Sequence, residues 1–436
     1  MKNTLLIIGL LTGLTSQLVA GETLRLKIEP EREWLKAGSP EEIVVKIDLF
    51  ASAKKDSHHR PPLNIAVVLD RSGSMAGAKI EKARQAAMDV VDRLAPEDIF
   101  SLVTYDTQAE LVIPPQSVEN KGDLKQKIRN IASRGRTALY AGVSMGAEQV
   151  ALHLSSETVN RVILLSDGLA NVGPSSTAEL RALGREIGGR GIAVTTIGVG
   201  DDYNEDLMAG LAEASDSNYY YVKDTEKLPE IFAKELGGLQ SIAARDVRIE
   251  IICPEGVKPI GLVGRPERFE GGRVEVLLSQ FSPEQTRSLF LRCRVERSIP
   301  AIAQVNVRYR DTLDGDASRT IGGSAQVRFT KDQSVAAKSE KPEVVAQKEL
   351  ILTAVVKDTA LAEADAGHYQ KAAQALVSQA LVLENQSRNA PASMQSTLHF
   401  EVENLRLRAG QLQQNQYEPG MRKALQSESW DTRNSK

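Results

Sequence analysis

Five oxygen-bearing side chains, each following its own apolar run or helix-opening loop, carry the chemistry in this sequence. Asp70, Ser72 and Ser74 alternate within Asp70-Arg71-Ser72-Gly73-Ser74, directly after the apolar run 64–69. In a turning loop that alternation can aim three oxygens at one point. Thr137 follows in Gly135-Arg136-Thr137-Ala138-Leu139, and Asp167 in Leu165-Ser166-Asp167-Gly168. A hard cation is what needs several oxygens together, and Mg²⁺ takes six at about 2.0–2.1 Å, commonly keeping some waters. Three of these five donors are neutral hydroxyls, so a dication would be incompletely neutralised and one position could be left to water. A carboxylate from another molecule could displace that water. No general base or nucleophile accompanies the set, so the expectation is binding and not catalysis.

The elements that must position these residues lie between about 62 and 240. Asn64-Ile65-Ala66-Val67-Val68-Leu69 is a continuous apolar run, as a strand covered on both faces requires. A helix follows, with Ile80, Ala83, Ala87, Val90 and Leu94 on one stripe. Runs at 99–103, 110–113, 161–165, 192–197 and 219–222 read as further strands. Helices near 124–131, 138–152, 180–187, 206–214 and 228–239 fill the gaps between them. This alternation predicts an α/β fold with a doubly wound, mostly parallel sheet, whose ligands bind beyond the carboxyl ends of the strands.

Asp-x-Ser-x-Ser, a downstream Thr and an Asp-Gly after an apolar strand resemble the metal-ion-dependent adhesion site of von Willebrand factor A domains. The resemblance covers about 63–240, and Ile197-Gly198-Val199-Gly200 also fits it. It implies that Asp70, Ser72, Ser74, Thr137 and Asp167 form a metal site, some of them through water. The implied ion is Mg²⁺, with Mn²⁺ or Ca²⁺ as alternatives, and the implied partner is a protein or peptide presenting an Asp or Glu. The flanking β-rich segments and an export signal look like bacterial exported members of that family. Arg136 departs from the glycine that the family often places before the Thr.

Taken singly, each feature has a plainer reading. Ser72-Gly73-Ser74 would be a turn with a helix cap, Thr137 a cap, and Asp167-Gly168 a tight turn; the joint pattern disfavours these. Asp201, Asp202, Asn204 and Glu205 read as capping of the following helix. A phosphoryl-transfer hydrolase would use Asp70 as nucleophile, but its usual second aspartate is Ser72 here. A phosphate-binding loop fails because Ala78-Lys79-Ile80 lacks the Gly-Lys-Ser/Thr ending. An architectural envelope protein with a merely structural metal is the other alternative.

Outside the α/β unit the pattern changes. Residues 21–61 hold two strand-like stretches and a polar linker. Residues 241–330 alternate with period two, as in Val274/Val276/Leu278 and Val305/Val307/Tyr309, and predict an antiparallel β-sandwich. The early strands could complete that sandwich, which would make the α/β unit an insertion in it. Residues 331–342 read as a linker, 343–415 as a C-terminal helical hairpin region, and 416–436 as a disordered tail.

The first twenty residues have the tripartite form of a secretory signal, with Lys2, the apolar run 5–11 and a close at Leu18-Val19-Ala20. Cleavage near Ala20 or Gly21, a periplasmic or secreted location and no membrane span afterwards are the expectations. Formal net charge is -3, from 54 basic and 57 acidic residues, which offers no field for nucleic acid. The two cysteines, Cys253 and Cys293, fall in strand-like runs, either as a disulfide or as two buried thiols. The five histidines are scattered, so no zinc cluster is expected.

Overall fold

The structure is a computed structural model that describes residues 17–20, 23–53, 61–155, 157–239 and 242–434. Residues 1–16, on which most of the expected export signal falls, and His58 and His59 lie outside the described residues.

The chain begins with β1 (Gln17–Ala20), β2 (Leu24–Pro30), β3 (Trp34–Lys36) and β4 (Glu41–Ala51). The α/β unit follows. Its elements are β5 (Leu63–Asp70), α1 (Ala78–Arg93), β6 (Ile99–Tyr105), β7 (Ala109–Ser117), α2 (Lys121–Arg129) and α3 (Leu139–Ala151). They continue as β8 (Val159–Ser166), α4 (Thr177–Gly189), β9 (Ala193–Val199), α5 (Glu205–Ala214), β10 (Tyr219–Val222) and α6 (Leu228–Leu239). The strands form one sheet in the order β10-β9-β8-β5-β6-β7, parallel except for the edge strand β7. Every residue of β5 is buried, because helices cover both of its faces.

Two glycines let α3 lie close on that sheet. A methyl at Gly146 would stand 2.5 Å from Val68 Cγ2, and one at Gly142 would stand 2.6 Å from the Tyr105 ring. Val68 is stiff at χ1 and cannot swing aside cheaply. Gly146→Ala is therefore expected to cost about 1–3 kcal/mol through overpacking, despite alanine's better helix propensity. Urea unfolding measures this; a variant as stable as the parent would show that α3 has slack the packing does not suggest.

The sandwich joins β1, β2 and β4 to β11 (Ala244–Ile252), β12 (Val257–Leu262), β13 (Arg273–Phe281), β14 (Thr286–Val295), β15 (Ala301–Asp311) and β16 (Ala317–Gln326). One sheet runs β1-β2-β4-β14-β12 and the other β13-β11-β15-β16. Since β4 pairs along its length with β14, the α/β unit is inserted between two strands of the sandwich. Val247, Ile249 and Ile251 alternate inward with Val276, Val305 and Val307 to form the core. Cys293 lies in β14 and Cys253 just past β11, both buried and unbridged. Burial pushes the Cys253 thiol up to about 11, and burial with Cys253 nearby pushes Cys293 up to about 12. Both thiols should resist alkylation at neutral pH in the native protein and react at once after denaturation. Mass spectrometry of iodoacetamide-treated protein reads this; fast native labelling would contradict the burial.

The C-terminal third departs from the sequence expectation in two places. The stretch expected to be a linker contains a short helix α7 (Gln333–Lys338), preceded by β17 (Arg328–Thr330), which pairs with β3. Beyond it stand α8 (Pro342–Asp365), α9 (Tyr369–Ser387) and α10 (Ala392–Gln413). The residues expected to form a disordered tail instead form α11 (Pro419–Arg433). Its order has a packing cause. Met421 joins the core of the helical region, Trp430 joins the α/β core edge-on to Tyr219, and Leu425 is fully buried. Among the described residues no helix is long and apolar enough to cross a membrane.

Candidate metal centre

The five oxygen-bearing residues meet at the carboxyl edge of the parallel sheet. β5 and β8 are neighbours, but β5 connects onward to β6 on one side and β8 to β9 on the other, which opens a crevice beyond their ends. Asp70 ends β5, and Ser166 and Asp167 leave the end of the adjacent β8. Thr137 sits just before α3. Asp70, Ser72, Thr137 and Asp167 are all at most 3% exposed, whereas Ser74 belongs to an exposed turn.

Backbone bonds lock the loops together. Gly73 N–H donates to the Gly135 carbonyl at 3.1 Å and Arg134 N–H to that of Arg71 at 2.6 Å. Ala138 N–H donates to the Asp106 carbonyl at 2.7 Å, and Thr137 N–H to Asn171 Oδ1 at 3.0 Å. Asp106 also accepts from Arg71 Nε at 2.8 Å and Arg134 Nε at 3.0 Å. The two guanidinium groups hold its carboxyl below the usual range, against the opposing effect of burial. Glu110 accepts from the same two guanidinium groups, so Asp106 and Glu110 together tie the Asp70 loop to the Thr137 loop.

Within the cluster, Asp70 Oδ1 accepts from Ser72 N–H and Oδ2 from Ser166 Oγ, each at 2.8 Å. Ser72 Oγ and Ser74 Oγ lie 3.0 Å apart, and Ser74 Oγ donates to Asp167 Oδ1 at 2.7 Å. Asp167 Oδ2 accepts from Lys79 Nζ at 2.5 Å. Thr137 Oγ1 belongs to the same cradle: a methyl on Gly168 would stand 3.2 Å from Ser74 Oγ and 3.5 Å from Thr137 Oγ1. Any larger residue at 168 would fill that space.

Electrostatically the cluster is short of positive charge. Burial, with the like charge of Asp167 adding to it, pushes the Asp70 carboxyl up to about 6, although Ser72 and Ser166 hydrogen-bond to it. Both of those donors are uncharged. Among the described residues no three His, Cys, Asp or Glu side chains gather to hold a metal ion. A cation here would therefore rely on two carboxylates and the lone pairs of three hydroxyls, a donor set suited to a small hard dication and not to a soft metal. The residues present fit that ion.

Sequence reasoning did not single out Ser166, Asn171, Asp106 or Lys79. Ser166 precedes Asp167 directly and could have been noticed; the other three are brought in only by the fold. Arg136 is exposed at the rim, with its guanidinium on the Asn171 carbonyl at 3.3 Å. Asn204 caps α5, as its position suggested, through the Leu207 N–H at 3.0 Å. Glu205 does something else: it is buried against Arg422 and Lys423 of α11, at 2.6 and 2.8 Å.

Residues 64–234 match the family model of the von Willebrand factor type A domain. An uncharacterized protein of Synechocystis sp. is 28% identical over 299 residues, covering 65% of this chain and 70% of that protein. The uncharacterized Escherichia coli protein YfbK is 26% identical over 210 residues, 48% of this chain, and the match spans about a third of its own length, 36%. Among solved structures, a von Willebrand factor type A protein from Catenulispora acidiphila superposes with a TM-score of 0.70 at 16% identity. It covers 87% of this chain and 91% of its own. That breadth takes in more than the α/β unit, so the inserted arrangement of sheets is a shared fold. Residues 64–234 of this chain thus match the von Willebrand factor type A model and take that domain's α/β fold.

Proposed function

We propose that the domain is a Mg²⁺-dependent capture module that takes hold of an Asp or Glu side chain on a protein or peptide partner, in the cell envelope or outside the cell. The observation that supports it most is the convergence of Ser74, Thr137 and Asp167 around Gly168, beside the uncompensated Asp70. A dication held there supplies a Lewis-acidic position that a carboxylate can enter in place of water.

The chain's own residues shape the approach. Asp70 and Asp167, being buried, bring negative charge to the ion without offering themselves to a partner. The three hydroxyls add oxygens without adding charge, which leaves the ion attractive to an incoming anion. Leu169 is 57% exposed immediately after Gly168, and Arg136 stands exposed across the rim. A carboxylate flanked by an apolar side chain suits that pair of neighbours.

The test uses immobilised peptides carrying Asp or Glu beside an apolar residue, with Asn and Gln counterparts. Retention of the protein by the acidic peptides in Mg²⁺, and its loss with chelator or with the amide peptides, is the expected result. Equal retention by the amides, or retention indifferent to chelator, would overturn the reading.

A further inference from the structure

Lys79 places a positive charge against the metal cluster itself. Its Nζ stands 2.5 Å from Asp167 Oδ2, with the lysine side chain 26% exposed and the carboxylate wholly buried. The two carboxylate oxygens are thereby divided: Oδ1 faces the hydroxyls through Ser74, and Oδ2 faces the ammonium. Lys79 lies in the first turn of α1, where the helix dipole favours anions and where Gly77 provides no side-chain cap. A lysine at that position gains nothing from its own helix, so its placement is accounted for by the carboxylate it meets. Gly200, at φ +71 after β9, closes the other side: a methyl there would come within 3.8 Å of Nζ.

We infer that Lys79 is a resident counter-cation of the metal site, balancing Asp167 when no dication is held and weakening the dication's grip when one is. The inference rests on the metal reading above. A dication coordinated near Oδ1 and an ammonium on Oδ2 share one carboxylate at a separation of a few ångströms, where like charges in a partly buried setting repel appreciably. Each thus raises the cost of the other. With the ammonium in place, the emptied site keeps a neutralised Asp167 and its loops remain arranged, so ion loading is reversible and costs little reorganisation. A lysine that only oriented Asp167 would have the opposite effect, since its removal would loosen a ligand and weaken the ion.

The experiment compares the full chain with its Lys79→Met and Lys79→Arg variants by calorimetric titration with Mn²⁺ and by thermal melting in chelator. Lys79→Met should bind Mn²⁺ about tenfold tighter than the parent. It should also melt lower in chelator, because a buried carboxylate has lost its partner, and so gain more from the ion. Lys79→Arg keeps the charge and should resemble the parent in both readouts. Equal or weaker Mn²⁺ binding by Lys79→Met, or an unchanged melting temperature in chelator, overturns the inference. Mn²⁺ binding by Lys79→Met and not by the parent supports the counter-cation role; binding by neither removes the metal reading and the inference with it, whereas a parent that binds as tightly as Lys79→Met overturns the inference and leaves the metal reading standing.

Discussion

Asp70→Ala should abolish divalent-ion binding while leaving the domain folded. Asp70 is wholly buried at the end of a fully buried strand, and its two oxygens are held by Ser72 N–H and Ser166 Oγ. Removing it takes away one of only two carboxylates in the cluster and releases the Ser72 turn that aims the hydroxyls. The seven residues of β5 before it, 63–69, are untouched, so the sheet should persist. The folded protein also sheds a buried group whose carboxyl is pushed up to about 6, which limits the stability loss in chelator. For the parent, Mg²⁺ at a hundredfold excess over Kd should add about 2.7 kcal/mol of stability. The variant should gain nothing at the same concentration. Paired melting curves with Mg²⁺ and with chelator measure the difference, and an equal Mg²⁺ gain in the variant would place the ion elsewhere.

Glu205→Ala should loosen the helical region from the α/β unit. Glu205 and Lys423 are buried to 6% and 4% side-chain exposure, and Arg422 bridges Glu205, Asp206 and Asp365. Lys423 also stands 4.8 Å over the Tyr203 ring. Without Glu205, a buried ammonium loses its carboxylate while a guanidinium remains beside it. Breaking a buried pair in this way costs about 3–5 kcal/mol. The expected result is early hydrogen exchange across α11, with a red shift of Trp430 emission as it leaves Tyr219. Trp34 is the other tryptophan and sits in the two-stranded β3-β17 sheet, so the shift should survive in a Trp34→Phe background. Exchange in α11 as slow as in the parent would show that Trp430 and Leu425 hold the helix unaided.

The central strands of the α/β sheet were legible because they are covered on both faces and read as apolar runs, residues 64–69 above all. The oxygen residues were legible because each follows such a run or opens a helix. What was hidden depends on long-range contact. Lys79 resembles any exposed lysine of a helix start until the fold sets Asp167, 88 residues on, beside it. Asp106 looks like a turn residue, yet it gathers Arg71 and Arg134. The segment 416–436 was misread because its apolar residues are few and set among charges: Met421 and Trp430 serve two different cores, and Leu425 is buried between them in sequence. Its basic pair, Arg422-Lys423, reads as solvated until Glu205 is known to be buried opposite.

The proposed binding of one hard dication by Asp70, Ser72, Ser74, Thr137 and Asp167 can be read from anomalous diffraction of full-chain crystals grown with Mn²⁺. A single anomalous peak is expected in the cradle beside Gly168, within direct or one-water reach of the three hydroxyls and the two carboxylates, and absent from Asp70→Ala crystals. A cradle without anomalous signal at saturating Mn²⁺, or a peak that persists in Asp70→Ala, would contradict it.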